Sequence, residues 1–250
     1  MRDRAEKRRA VLSVIAIACL VTARAAWAQP PTLELDEMPH VELSVGVGAM
    51  FNGPGKDIEQ PLRLLHLDQP DGRQAMPSTQ LPSLVPGAFA VGHFALARHV
   101  TLGFFIGVVE SETTGRATGG GEVIADATVQ TEALVLSFRP NPWLRLGAGP
   151  ALHERQLRFD APLGTHIDEA DENALGWMAL ADAKFARRPG SEGRPPTFGY
   201  VTTQYRSVPP LSSPPATLPI LFTNGATIAW PGGSLRYSHW MVGFGGGVEF

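Results

Sequence analysis

Three residues near the C-terminus are of the types that hydrolyse acyl esters: a serine nucleophile, a histidine base and a carboxylate, at Ser238, His239 and Glu249. Adjacent side chains of a strand point to opposite faces, so Ser238 and His239 form no nucleophile–base pair unless a bulge intervenes. Glu249 lies ten residues beyond His239, near the other end of the same predicted strand. We therefore expect no catalytic residues here.

Patterns for metal and phosphate binding are no stronger. The segment His-Glu-Arg at 153–155 lacks the second histidine of a zinc-binding helix and falls on a predicted strand. The glycine-rich segments 119–122 and 243–247 precede no helix, unlike phosphate-binding loops. Four carboxylates in one loop would suit a divalent cation or lipopolysaccharide-bound calcium, although solvated acidic loops are far more common; they are Asp168, Glu169, Asp171 and Glu172. We expect no metal and no cofactor.

The elements that carry these residues are strands. Glycine (27 residues) and proline (22 residues) are plentiful, and helical periodicity is nearly absent. Apolar residues instead recur with a period of two, which is typical of strands with two different faces. The pattern predicts an all-β chain with eight strands, at 40–51, 87–98, 99–112, 123–138, 143–159, 174–188, 198–208 and 235–250.

The connections between these strands alternate between short and long. Short ones fall at 98–99, 139–142 and 189–196, and long ones at about 52–86, 113–122, 160–173 and 209–234. This alternation predicts an antiparallel up-and-down transmembrane barrel with one plain rim and one elaborated rim. Asn224–Gly225 signals a further hairpin within 218–230. Its arms are shorter than the roughly 9–11 residues of a membrane strand, so we expect eight strands, with ten as the alternative.

Alternation alone does not say which face is outward, because a soluble lipocalin-like barrel also alternates. One face of the last strand is rich in glycine, and glycine on a solvated surface gains no packing. Inside an eight-stranded barrel, glycine leaves room for long polar side chains. We predict that interior charges of both signs pair and plug the lumen. The predicted network comprises Glu42, Arg145, Asp182, Lys184 and Glu249, with Arg206 as a further candidate.

Aromatic residues fall where the edges of an apolar band would lie. From Trp240 to Phe250 the chain advances by ten residues, which is about 25 Å along the barrel axis for a tilted strand and matches the height of such a band. Trp143 follows a short turn, and Trp177 adjoins a long loop. We predict that Trp143 and Phe250 lie in one aromatic girdle and that Trp177 and Trp240 lie in the other.

Residues 1–28 have the layout of a cleaved signal peptide. A basic head precedes an apolar run of 11 residues, which is shorter than the roughly 20 residues of a helical span. Ala26 and Ala28 suit cleavage before Gln29, and an uncleaved anchor is the alternative. Removing this segment removes Cys19, so 29–250 contains no thiol. It leaves 15 Lys+Arg and 22 Asp+Glu, and a net charge near −7 argues against a nucleic-acid partner.

In these features, residues 29–250 resemble small bacterial outer-membrane barrels of the eight-stranded OmpA and OmpX type. In that family the last strand carries a signal for the barrel-assembly machinery: a glycine, then apolar residues two positions before the end and at the end. Gly245, Val248 and Phe250 match these positions, whereas Gly243 stands where a polar residue is usual. The resemblance implies an outer-membrane location, with outer-membrane lipids, lipopolysaccharide and the assembly machinery as partners.

Three functional hypotheses follow. The leading one is a non-enzymatic outer-membrane barrel with a structural role or a role in surface contacts, with loops 52–86 and 209–234 as candidates for binding a surface ligand. The second is a lipid-modifying outer-membrane enzyme or a small-solute channel. The third is a soluble secreted barrel that binds an apolar ligand in its interior.

Overall fold

The computed structural model describes residues 41–51, 67–68, 74–75, 85–116, 121–191 and 194–250. The predicted signal peptide and most of loop 52–86 lie outside these residues. The strands of the described part are, in chain order, β1 (Val41–Phe51), β2 (Leu67–Asp68), β3 (Gln74–Ala75), β4 (Val85–Ala97), β5 (Val100–Arg116), β6 (Glu122–Asn141), β7 (Leu144–Ala161), β8 (Thr165–Arg188), β9 (Thr197–Ser207), β10 (Leu211–Ser213), β11 (Ala216–Pro219), β12 (Thr227–Trp230), β13 (Gly233–Leu235) and β14 (His239–Glu249). A 3₁₀ turn, Pro162–Gly164, separates β7 from β8.

Eight of these strands form a closed antiparallel barrel in the order β1–β14–β9–β8–β7–β6–β5–β4. β1 closes it by pairing with both β4 and β14. The last residue takes part, since the Phe250 N–H donates to the Val41 carbonyl at 2.8 Å and the Val41 N–H donates to the Phe250 carbonyl at 3.1 Å. The predicted eight-stranded barrel is confirmed. The ten-stranded alternative is wrong, because the arms of the 218–230 hairpin pair with each other as β11 and β12.

The barrel has two unlike rims. The lower rim is the end that holds Phe250 and the short connections β4–β5, β6–β7 and β8–β9, as predicted. The upper rim is the opposite end, where β5–β6 and β7–β8 extend well beyond the other strands. In the described residues, no helix has the length and apolar character that a helical membrane span requires.

Strands extend into two predicted long loops, as far as residue 116 and from residue 122 in loop 113–122, and over most of loop 160–173. β7 and β8 pair as far as Ala161 and Thr165, apart from a register shift that leaves out Glu169. The turn between them has φ values of 71° at Leu163 and 68° at Gly164. β5 and β6 pair as far as Arg116 and Glu122. The alternation rule failed here because both faces of these segments are rich in polar residues, so no period-two contrast marks the strand.

The predicted loop 209–234 is a folded cap. It contains two small ladders, β10 with β13 and β11 with β12. Trp230 is buried, its ring centroid lies 5.2 Å from that of Phe159, and its indole N–H donates to Ser213 Oγ at 2.8 Å. The segment 208–237 thereby packs on the extended ends of β6 and β7. This upper core comprises Val123, Ala125, Ala127, Val129, Leu157, Phe159, Val208, Leu211, Leu218, Trp230, Leu235 and Tyr237.

Candidate functional site

A buried cluster of charged side chains fills the interior at the lower rim. Glu42 is its centre: one carboxylate oxygen pairs with Arg139 and the other with Arg145, and Lys184 Nζ lies 2.6 Å from Glu42 Oε1. The three cations come from β6, β7 and β8, so they tie three strands to β1. Because Glu42 is only 2% exposed, these contacts replace the water that its carboxylate loses on folding.

Two further carboxylates complete this plug cluster. Glu249 accepts from Lys184 Nζ and from Arg187 Nε, each at 2.8 Å, and Asp182 Oδ2 lies 3.5 Å from Arg145. Strand register places Glu42 directly opposite Glu249, where two unneutralised carboxylates would repel. The plug cluster thus comprises Glu42, Asp182, Glu249, Arg139, Arg145, Lys184 and Arg187, four cations for three carboxylates.

The structure brings together the five residues predicted for the lumen network and adds two that the sequence reasoning missed. Arg139 fell in a predicted turn, although it continues the inward face of β6. Arg187 lies two residues after the outward-facing Phe185, so simple alternation along the strand would point it outward. A register shift after Phe185, with a φ of 51° at Ala186, changes that alternation and aims Arg187 at Glu249.

The expectation of a polar interior is wrong above the plug cluster. Buried apolar side chains fill the middle of the barrel, and two of them, Phe89 and Phe105, stack with ring centroids 5.9 Å apart. Inward glycines leave space for these large rings: a Cβ on Gly46 would overlap Phe89, and one on Gly107 would lie 2.9 Å from Phe105. This lower core comprises Met50, Phe89, Val91, Phe105, Val109, Ala133, Val135, Ala151, Met178, Leu180, Phe198, Tyr200 and Met241.

A second polar layer lies between the two cores. Arg206 on β9 is fully buried and donates to Gln204 Oε1 at 3.1 Å, and its Cζ lies 5.0 Å from the Phe105 ring centroid. His239 lies opposite it on β14, and His153 on β7 contacts Thr131 Oγ1 at 3.0 Å. The structure does not bring Arg206 into the plug cluster, so its predicted place in that network is wrong among the described residues.

The outward faces of the barrel strands carry a band of exposed apolar side chains. Exposure reaches 57% at both Leu136 and Phe244. Further members are Leu43, Phe94, Leu96, Phe104, Ile106, Leu134, Phe138, Leu146, Leu152, Leu175, Phe185, Val201 and Val242. So much apolar surface is unfavourable in water, and it matches the lipid-facing band of a membrane barrel.

Aromatic side chains lie at both edges of this band. Near the upper rim, the Tyr205 ring centroid lies 5.2 Å from Trp177 and 4.8 Å from Trp240, and all three rings are on the outer face. At the lower rim, Trp143 is 47% exposed and Phe250 is 61% exposed. Trp143 and Trp177 therefore lie at opposite edges, as do Trp240 and Phe250.

The three residues of the matched C-terminal signal lie on two faces of β14. Phe250 follows the strand on the outer face, and Val248 is half-buried opposite Leu43. Gly245 faces the interior, where an added Cβ would lie 2.8 Å from Tyr200 Oη. Its lack of a side chain therefore serves packing inside this barrel.

Ser238 and His239 do not form a nucleophile–base pair. Ser238 Oγ lies 3.0 Å from both the N–H and the carbonyl of Val208, so it bridges backbone groups. His239 Nδ1 lies 2.8 Å from the Tyr237 carbonyl, and Glu249 belongs to the plug cluster. Burial also raises the pKa of Tyr237 above its ordinary value, and its hydroxyl donates to the Gln156 carbonyl at 3.0 Å.

Among the described residues, one group of possible metal ligands includes none of the four carboxylates predicted for the acidic loop. Asp126, Asp160 and His166 have ligand atoms within 4.8 Å of one another on the upper extension. His166 Nδ1 lies 2.8 Å from Asp160 Oδ1, so this imidazole and carboxylate already contact each other directly. Burial, followed by the carboxylates of Asp160, Glu110 and Glu112, raises the pKa of Asp126 to about 6.

Lipid-facing apolar residues, aromatic edges and buried, paired interior charges define this chain as a membrane-spanning β-barrel. No protein-family model and no curated protein matches its sequence. Two solved structures of Ail, the attachment invasion locus protein of Yersinia pestis, have TM-scores of 0.43 and 0.40. Each is 10% identical, and each match covers 84% of this chain and 99% of Ail. The former is a complex with the heparin analogue sucrose octasulfate.

The outer-membrane protein OprG of Pseudomonas aeruginosa is also similar in structure. Its TM-score is 0.45 at 9% identity, with 87% of this chain and 99% of OprG covered. The barrel topology of the present chain follows from its own strand pairing, which closes between β1 and β14.

Proposed function

We propose that this chain is an integral outer-membrane protein without catalytic activity, whose sealed barrel carries a rigid platform for surface contacts. The upper core carries the proposal. Twelve buried apolar residues join the ends of β6 and β7 to the cap at 208–237, above the aromatic edge of the lipid-facing band. A barrel that needed only to span the membrane would require no second core.

The interior favours a closed barrel over the channel alternative. A solute on the axis would have to separate the ion pairs of Glu42 and then displace the stacked rings of Phe89 and Phe105. Eight strands enclose little more than their own side chains. We infer that the lower half of the barrel is a structural anchor.

The surface for contacts is the outer face of the upper extension together with the cap. Leu163 and Phe222 are 100% and 80% exposed at neighbouring turns, and the turns border a common groove of about 430 Å³. Apolar residues held this far out on turns suit a macromolecular partner better than a small solute. Loop 52–86, most of which lies beyond the described residues, is a second candidate. Lipopolysaccharide is the proposed neighbour of the band's upper edge.

The test of location and assembly is expression of the full chain in a Gram-negative host, followed by membrane fractionation. We expect an outer-membrane band that migrates faster unboiled than boiled, because a folded barrel resists detergent until heated. Deleting Phe250 should abolish this band by removing the proposed assembly signal, whereas Phe250→Tyr should retain it. A soluble periplasmic protein indifferent to Phe250 would refute the proposal.

The test of the platform uses a short epitope tag inserted between Asn224 and Gly225. Gly225 has a φ of 75° in an exposed turn, so the insertion leaves the upper core intact. Antibody should label intact cells, and a matched tag at Gly190, in the lower β8–β9 connection, should be labelled only after the outer membrane is opened. The reverse pattern would overturn the proposed orientation.

A further inference from the structure

Arg206 is a buried cation without a counter-charge. It is fully buried, and in the part of the chain that the structure describes no carboxylate forms an ion pair with it. Its Nη2 donates to Gln204 Oε1 and lies 3.8 Å from Met241 Sδ, while Nε and Nη1 have no partner among the described residues. A guanidinium removed from water with two unpartnered nitrogens is strongly unfavourable unless another group compensates it.

A second basic residue beside Arg206 also has a nitrogen without a partner among the described residues. His239 lies directly opposite Arg206 in the β14–β9 register and is 1% exposed. Its Nδ1 must carry the proton because it faces the Tyr237 carbonyl, and its Nε2 has no partner. An anion held by Arg206 would favour a proton on Nε2, which would then become a further donor.

The surroundings add positive charge and little negative charge. His153 and Arg155 on β7 are both buried near this layer. The carboxylate of Glu172 is 53% exposed and lies 3.0 Å from Arg155, so it is already paired. Arg155 also donates to the carbonyls of Pro209 and Pro210 at 2.8 and 2.5 Å. Among the described residues, Arg155 thus has a carboxylate and two carbonyls as partners and only its Nε has none, whereas Arg206 has no carboxylate partner and two nitrogens without a partner.

Neighbouring side chains and a glycine fix the position of the Arg206 side chain. A Cβ on Gly107 would lie 3.0 Å from Arg206 Nη2, so glycine keeps space for the guanidinium on the far side of the barrel. The Phe105 ring, 5.0 Å from Arg206 Cζ, contributes a cation–π contact but no hydrogen-bond acceptor. This packing fixes the cation and leaves its remaining donors to another ligand.

We propose that Arg206, with His239, binds one small inorganic anion of the size of chloride inside the barrel. The two unpartnered guanidinium nitrogens and one imidazole nitrogen provide few donors, and Phe105, Met178 and Met241 make the walls apolar. A phosphate or sulfate carries more oxygens than these donors could satisfy, and leaving them unpaired in an apolar site is unfavourable. The proposal requires only the folded barrel and is independent of surface contacts.

The test measures thermal unfolding of the purified full barrel by circular dichroism in non-ionic detergent. Chloride is exchanged for gluconate at constant pH and ionic strength. We expect the unfolding midpoint to rise with chloride concentration and to saturate, since a ligand of the folded state stabilises it. Equal midpoints in both salts would overturn the proposal, as they would show that water alone satisfies Arg206.

Two arginine variants test whether the chloride-dependent shift of the unfolding midpoint arises at Arg206. Arg206→Met should lose at least nine-tenths of the chloride-dependent shift, and Arg98→Gln, which removes an exposed arginine, should keep all of it. An Arg206→Met protein that retains the shift would refute the assignment. If that variant fails to fold, the chloride NMR line is measured with the wild-type barrel. A line that the barrel broadens, and that bromide narrows again by competition, supports the site. A line that stays narrow excludes it.

Discussion

Neutralising Glu42 should weaken the barrel more than any exposed charge change. In Glu42→Gln, Arg139, Arg145 and Lys184 lose their shared carboxylate, and four cations then face Asp182 and Glu249 alone. The side chains of Glu42, Arg139 and Arg145 are 2%, 3% and 5% exposed, so water cannot replace the lost partner. Removing one member of a buried ion pair typically costs about 3–5 kcal/mol, and we expect that loss in the free energy of unfolding.

The assay is urea unfolding of the refolded barrel in lipid vesicles, followed by tryptophan fluorescence. Glu110→Gln, which removes an exposed carboxylate, should change the free energy of unfolding by no more than about 0.5 kcal/mol. Adding Arg139→Gln to Glu42→Gln should recover part of the loss, with a coupling energy of at least about 1 kcal/mol. A loss below about 1 kcal/mol for Glu42→Gln, as at a solvated ion pair, would refute the account of the plug cluster.

Two further predictions concern the upper extension. The pKa of Asp126 is raised in the folded chain, so its contribution to stability is greatest below pH 4 and is lost as the pH rises from about 4 to about 6. Asp126→Asn should therefore stabilise the protein at pH 7.5, by at most about 3 kcal/mol, and have no effect at pH 4. Urea unfolding at both pH values measures this difference. Equal effects at the two pH values would contradict the raised pKa of Asp126. Trp230→Ala removes the largest side chain of the upper core and should cost the cap about 3–5 kcal/mol. Protease should then cleave within 209–235 while the unboiled fast-migrating band persists, and cleavage at the wild-type rate would show that the cap does not depend on Trp230.

The membrane-spanning part of the barrel could be predicted from the sequence because one rule governs it. A strand between lipid and a narrow interior must point its side chains alternately outward and inward. In β1, Leu43 points outward and Glu42 points inward. The rule failed above the band. Residues 165–173 pair with β7 except at a register shift that leaves out Glu169, yet water on the outer face removes the apolar contrast that would have marked them as strand.

The plug cluster was predictable in composition but not in full membership. Glu42 and Lys184 show their inward direction by parity alone. Arg187 could not be predicted, because a register shift beside Ala186 reverses the parity on which the prediction depends. The apolar middle was also missed, since Phe89 fills the space beside Gly46 on the neighbouring strand β1, and only the register places these two residues side by side.

The sequence by itself determined the number of barrel strands, their direction of alternation and the short turns, because these depend on local periodicity and turn chemistry. Only the tertiary structure decided how the interior is divided into a plug cluster, a lower core, the layer of Arg206 and an upper core. That division depends on the shear between strands. Shear brings Arg206 of β9 across the barrel to Gly107 of β5, a contact between residues 99 positions apart in the chain.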